Sequence, residues 1–282
     1  MQYKNNQKIF SLEEYEIDSN QKLPLLTFDC LSQIPEIKHC FTTRCGGVST
    51  DFLSSLNLGF SRGDESQNVI ENYRRVANAM GVDLEDMIIS HQTHTTNVRM
   101  VGREDGGEGL TKPRTFFDVD GMITNEKGLL LSTSYADCVP LYFVDVIHHA
   151  IGLSHSGWRG TVHRMGAVTI DAMKRAFGSR PENIVCAIGP SICRDCYEVS
   201  EDVYAEFATE FATVDNFFLN KGDGKYQLDL WKANEEILLE AGILPQNLAI
   251  TNVCTSCNSN LLYSHRASGG RRGKLGGFLM VK

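Results

Sequence analysis

The stretch LLLSTSYADCVPLYFVDVIHHAIGLSHSGWRG, residues 129–160, decides the fold. Three short apolar runs, 129–134, 141–145 and 150–154, are separated by turn residues and read as strands. A Gly-rich turn, Gly157-Trp-Arg-Gly160, then opens a helical pattern over 161–177 that Gly178 closes. Outward on the C-terminal side come a strand at 184–188, helices at 201–211 and 230–241, and strands at 248–253 and 278–281. Gly242 and Pro245 stop the second of those helices. On the N-terminal side, 121–124, 97–101, 87–90 and 37–43 read as strands. Between them, 66–80 is helical: Val69, Tyr73, Val76 and Met80 fall on one face and Gly81 ends the pattern. Strands interleaved with helices predict an α/β (mixed α+β) chain with a large mixed sheet and flanking helices. No repeat, low-complexity stretch or linker divides residues 1–282, so one domain is expected, with residues 1–25 peripheral.

Composition narrows the function. The 282 residues carry a net charge of -8, which disfavours phosphate backbones as partners, so no nucleic acid is expected. No apolar run reaches the roughly 18 residues of a membrane helix and the first ten residues are polar, so neither a membrane partner nor a signal peptide is expected. A cytoplasmic location follows, and there the nine cysteines are read as thiols, metal ligands or nucleophiles.

Three residues at strand ends stand out. His94 lies in the polar loop before 97–101, Cys138 follows 129–134, and His155 ends 150–154. Two imidazoles and a thiolate suit zinc, and three protein ligands leave a fourth position for water or substrate. Their spacings, 44 and 17 residues, match no short zinc motif, so the residues alone leave the set open. Cys138 near His155 also reads as a hydrolase nucleophile, with Asp137 beside it. Two C-x-x-C pairs, Cys193/Cys196 and Cys254/Cys257, suggest a four-cysteine site, but 57 residues intervene where roughly 15–20 is usual. Packed thiols are the simpler expectation. Arg44 with Gly46 and Gly47, and Arg159 at a helix start, are candidate anion-binding groups. The basic stretch RASGGRRGK, 266–274, is a third.

Gln92-Thr-His94, Asp118-Val-Asp-Gly-Met-Ile-Thr124, Ala136-Asp-Cys-Val-Pro140, His155-Ser-Gly-Trp-Arg-Gly160, Ile188-Gly-Pro190, Cys196-Tyr-Glu-Val199 and Ser264-His-Arg266 occur in that order. Together they resemble the YfiH/laccase-domain family, whose members have been called polyphenol oxidases, peptidoglycan editing factors and purine nucleoside phosphorylases. The resemblance runs from about Thr42 to Phe278. It implies an architecture like that of cysteine hydrolases and a zinc site of His94, Cys138 and His155. The implied reaction is phosphorolysis of adenosine, inosine and S-methyl-5'-thioadenosine, with adenosine deamination alongside. Purine nucleoside and phosphate are then the partners, and the chain is expected as a monomer or homodimer. Asp137 and Cys138 become catalytic candidates; Arg44, Gly46, Gly47, Asp120, Arg159 and Arg266 become substrate-binding candidates. Thr95 stands where the family often has Gly, Ser268 replaces an acid and Lys274 an Arg. Copper is expected only as an adventitious substitute for zinc, because the chain has eight histidines and no H-x-H pair of the kind a multicopper laccase needs. A hydrolase editing cell-wall precursors through Cys138 is the alternative function.

Overall fold

A computed structural model describes residues 1–4, 10–18 and 21–282. Its strands are, in chain order, β1 (Phe10–Asp18), β2 (Gln21–Phe28), β3 (Ile37–Thr42), β4 (Met87–Ile89), β5 (Val98–Met100), β6 (Gly121–Thr124), β7 (Leu130–Tyr135) and β8 (Val139–Asp145). They continue as β9 (Ala150–Ser156), β10 (Ile184–Ile188), β11 (Glu198–Ser200), β12 (Phe218–Gly222), β13 (Lys225–Leu228), β14 (Leu248–Ile250) and β15 (Leu275–Val281). The helices are α1 (Asp29–Ser32), α2 (Ser66–Met80), α3 (Trp158–Val162), α4 (Met165–Phe177), α5 (Glu201–Glu210) and α6 (Leu230–Glu240).

The mixed α/β class holds, and the strands divide among three sheets. The first six-stranded sheet runs β1-β2-β3-β15-β7-β4, and the second β14-β10-β8-β9-β6-β5. A small sheet, β11-β13-β12, stands apart. Alternation within single strands explains the layering. In β8, Tyr142 and Val144 join Phe28, Phe41 and Leu279 in a core between the two large sheets. Its other side chains, Val139, Leu141 and Phe143, face Met173, Ile237 and Leu238 of α4 and α6. Strand β15 does the same for the first sheet: Phe278 and Met280 pack with Val69, Tyr73 and Val76 of α2. Both faces of each large sheet are thus covered, which is why β8 reads as one apolar run rather than an alternating one. Each fully buried Leu or Phe in these layers contributes about 1.5–3 kcal/mol.

Two differences from the expected elements have physical causes. The segment expected at the periphery supplies an edge hairpin, β1 with β2, whose Phe10, Leu23 and Leu25 are buried; residues 5–9 and 19–20 of that segment lie outside the described residues. The single helix expected over 161–177 is two, α3 and α4, because Arg164 takes a left-handed backbone conformation (φ 58°) that an α-helix does not admit. Among the described residues no helix is long and apolar enough to cross a membrane.

Candidate metal centre and active site

Two connections step from the first large sheet to the second. Residues 90–97 join β4 to β5, and residues 136–138 join β7 to β8. His94 lies on the first step and Cys138 on the second. His155 lies in β9, opposite Pro140 of β8. The seam between the sheets thereby collects three residues that are distant in sequence, with ligand atoms all within 4.8 Å of one another. The imidazoles of His94 and His155 meet edge to face at 4.9 Å.

Asp120 organises the cluster. It is fully buried just before β6. Its carboxylate accepts the amides of Thr93 at 2.9 Å, His94 at 3.2 Å and Thr95 at 3.0 Å, which fixes the His94 loop. His155 Nδ1 sits 2.7 Å from Asp120 Oδ1 and donates its proton there, leaving Nε2 as the free ligand atom. Burial alone would raise the Asp120 carboxyl, but the hydrogen bond and charge of His155, with the Thr93 and Thr95 amides, hold it below the usual carboxylate range. Gln92 secures the same loop to β7, giving its amide to Ser134 O at 2.8 Å and accepting Ser134 N at 2.7 Å.

Burial opposes charge on His155, but the Cys138 thiolate and Asp120 outweigh it and push the imidazole up to about 9. Burial likewise opposes the Cys138 thiolate; His155 and then Lys274 more than offset it, and the thiol falls below its ordinary value. His94 goes the other way, down to about 4, through burial and the nearby positive His155. A thiol with a lowered pKa, an imidazole with a lowered pKa and an imidazole that would release its Nε2 proton on binding, with a carboxylate behind it, form a donor set that a divalent cation satisfies. Gly157 leaves the room: a Cβ there would lie 2.7 Å from His94 Nδ1 and 3.3 Å from Cys138 Sγ.

The other expected site residues divide. Arg159 is exposed at the start of α3, stacked over Trp158 at 4.3 Å, and its charge reaches His94. Arg266 stacks on Tyr197 at 5.2 Å and lines a cavity of about 350 Å³ with Trp158, Tyr197 and Glu198. Asp137 is held at φ 87°, one oxygen accepting Thr255 Oγ1 at 2.6 Å and the other Arg266 N at 2.7 Å. It ties loops together beside Cys138, while Asp120 takes the part of orienting ligands. Arg44 donates to the carbonyls of Ser54 at 2.9 Å, Ser259 at 3.1 Å and Phe52 at 3.4 Å, and lies over Tyr263. The Gly47 amide goes to Ser55 Oγ at 3.0 Å, and a Cβ on Gly47 would sit 2.2 Å from Ser55 O. Gly46, at φ 89°, turns the chain and gives its carbonyl to Arg75. The guanidinium of Arg44 and the amide of Gly47 are thus hydrogen-bonded within the protein, and Arg44 lines a cavity with Arg271 and Arg272.

Two cations whose charge reaches Cys138, Arg272 and Lys274, come from the basic stretch 266–274, and Arg62, which no motif marked, lies close enough to act on both. Lys274 is pushed down to about 8 by burial and by Arg272, and the Cys138 thiolate pulls the other way. Arg272 is 8% exposed and is pushed down to about 10 by burial and by Arg62. The Nε atoms of Arg62 and Arg272 are both buried without a hydrogen-bond partner. Buried guanidinium donors left unpaired are costly unless an anion arrives. No local motif marks Arg62; Arg272 and Lys274 were visible only as members of the basic stretch 266–274.

Residues 38–282 match the family model described as multi-copper polyphenol oxidoreductase laccase. The chain is 34% identical over 243 residues to the purine nucleoside phosphorylase YlmD of Bacillus subtilis, covering 86% of this chain and 87% of that one. It is 30% identical over 254 residues to the adenosine deaminase RL5 of an unknown prokaryotic organism, covering 89% and 97%. The crystal structure of YlmD from Geobacillus stearothermophilus superposes with a TM-score of 0.88 at 30% identity, over 98% of this chain and all of that one.

Proposed function

The chain belongs to the multi-copper polyphenol oxidoreductase laccase family, and from that premise we propose that it is a zinc-dependent purine nucleoside phosphorylase. Its substrates on this reading are adenosine, inosine and S-methyl-5'-thioadenosine, with adenosine deamination as a second activity, in the cytoplasm. The observation that carries the reading is the pairing of a three-ligand cluster with a group of cations: Lys274 and Arg272, which feel the Cys138 charge, and Arg62 beside them, the two guanidinium Nε atoms being buried without a partner. Phosphorolysis needs that combination: one place for an inorganic phosphate, next to one that acts on the nucleoside. In the reaction a phosphate oxygen bonds to C1' of the ribose as the bond from C1' to N9 breaks, and the purine leaves with its electrons and takes up a proton.

His94 Nε2 or Nδ1, Cys138 Sγ and His155 Nε2 would hold the ion. When bound, zinc supplies a Lewis acid that brings the pKa of a bound water to roughly 7. The chain's own groups do the rest. Asp120 keeps the His155 proton on Nδ1 and the His94 loop in place. Arg62, Arg272 and Lys274 offset the phosphate charge. Arg266, Trp158 and Tyr197 offer a cationic and aromatic wall suited to a purine ring. Zinc is favoured over copper because, among the described residues, His94, Cys138 and His155 form the one histidine-containing donor cluster, whereas laccase chemistry needs several.

One observation favours a second reading. Asp120, His155 and Cys138 follow one another as carboxylate, imidazole and thiolate, the order of a cysteine hydrolase. A cell-wall precursor would then be the substrate. Hypoxanthine release from inosine, followed with and without phosphate in preparations of measured zinc content, separates the two. Phosphate-dependent release that scales with zinc is expected. Its absence from zinc-loaded protein rejects the phosphorylase and leaves the hydrolase.

A further inference from the structure

The two C-x-x-C pairs, set aside on spacing, come together in the fold. Strands β10 and β14 are parallel neighbours, Cys186 opposite Leu248 and Ile188 opposite Ile250. Chains leaving the same end of adjacent parallel strands stay side by side. Here they remain paired past the strand ends: Ser191 N donates to Val253 O at 3.1 Å, and Thr255 N donates to Ser191 O at 3.2 Å. Cys193-Arg-Asp-Cys196 and Cys254-Thr-Ser-Cys257 are the turns that follow. The 57 intervening residues are the excursion through β11–β13, α5 and α6 that a parallel connection requires.

We propose that Cys193, Cys196, Cys254 and Cys257 form a second, closed zinc site with four thiolate ligands. The four sulfurs lie within 4.8 Å of one another, with Cys196 and Cys257 at 3.5 Å. A tetrahedron with Zn–S bonds of about 2.3 Å has sulfur–sulfur edges of about 3.8 Å, so the sulfurs already surround a volume close to that of the ion. The turns are shaped for thiolates. The Cys254 sulfur accepts the amide of Cys257, its own i+3 residue, at 3.4 Å and that of Cys193 at 3.3 Å. Four thiolates carry more charge than one divalent ion cancels, and such amides offset part of the excess. Cys193 and Cys254 are buried and Cys196 and Cys257 half-buried, so the ion would be enclosed rather than open to a substrate. Among the described residues no carboxylate or imidazole joins the set, which matches a structural site and not a catalytic one.

The site would act on the neighbouring one through Asp137. Thr255, between the two cysteines of the second pair, donates to Asp137, the residue before Cys138. Arg266 reaches the Cys196 carbonyl at 3.5 Å and gives its amide to Asp137. An ion clamping the two turns would hold this corner of the active site.

The test is zinc counting on full-length protein. Wild-type protein is expected to carry two zinc ions per chain. A His94→Ala/Cys138→Ala chain is expected to keep one, and adding Cys257→Ser is expected to lose it. In case that triple variant fails to fold, cobalt is loaded into the double variant: an intense sulfur-to-cobalt charge-transfer band with the visible bands of a tetrahedral ion reports the four-thiolate set without the third substitution. A double variant that folds yet holds no zinc overturns the proposal, whether its sulfurs alkylate as free thiols or show a mass deficit of four hydrogens from two disulfides. A cobalt spectrum without the thiolate band also overturns it.

Discussion

The cluster at His94 and the cluster at Cys193 are built by opposite routes. The first lies where the chain changes sheets, so its ligands come from two crossings and a strand that belong to different parts of the topology. The second lies where two strands of one sheet run out together, so its ligands come from the two C-x-x-C turns that follow them. The first pairs mixed nitrogen and sulfur donors with a buried carboxylate and unsatisfied cations; the second has sulfur alone. The difference teaches that local motif and local chemistry are separable. The repeated C-x-x-C turns lie at an enclosed cluster, and the residues with no repeated spacing lie at the one equipped to react.

The largest effect should come from Cys138→Ala. It removes a ligand from the first cluster only, and loss of the ion forfeits several kcal/mol of transition-state stabilisation. Phosphorolysis should fall on the order of a thousandfold, and equilibrium dialysis should show one ion lost; unchanged turnover would break the contrast between the sites. Next is Asp120→Asn. The ring of His155 loses its anionic partner, and metal affinity should fall about 10–100-fold. A competition titration with a chromophoric chelator reads this, with zinc at the cysteine cluster as the internal reference. Smaller again is Arg272→Gln. A charge-assisted hydrogen bond to an anion is worth about 1.5–3 kcal/mol, so KM for phosphate should rise about tenfold or more with zinc content unchanged. An unaltered KM would remove Arg272 from the phosphate site.

The smallest effect on activity is expected at His39, remote from both clusters in β3. Burial pushes its imidazole down to about 4, and its Nε2 accepts the Phe28 amide at 2.7 Å, so it folds neutral. Between the unfolded value of about 6.5 and the folded value of about 4, the unfolded chain binds the extra proton, so stability rises with pH across that window. The contribution is full above pH 6.5 and is lost as pH falls towards 4, about 3 kcal/mol in all. His39→Gln should flatten that part of the acid dependence in urea unfolding at pH 7 and pH 4.5, with turnover at pH 7 retained. Identical pH slopes for the two proteins would refute it.

Much of the fold was legible because its signals are local. Helix α2 shows its buried face and its Gly81 stop in four residues, and β8 reads as a continuous apolar run because both faces are covered. The three ligands at the sheet seam became legible only through family motifs, since no spacing rule connects two crossings and a strand. The cysteine pairs were discounted on distance along the chain, a measure that parallel strand pairing makes irrelevant. At Arg44-Cys-Gly-Gly the sequence shows donors but not their partners; Ser55 takes the Gly47 amide and three backbone carbonyls the Arg44 guanidinium. Arg62 was invisible for the complementary reason, and Arg272 showed only as part of a basic stretch: an unpaired buried donor is defined by what surrounds it.

The crossings at 90–97 and 136–138 also say when an ion can be captured. Neither step exists until β4 and β7 have joined one sheet and β5 and β8 the other, contacts of high sequence separation that form late. A nascent chain therefore presents His94, Cys138 and His155 as three scattered groups with no common affinity, and selection of the metal falls to a nearly finished protein. Unlike a zinc finger, which the ion folds, this chain would choose its ion with a cavity already cut, so a wrong metal would meet a fixed geometry instead of moulding a flexible one.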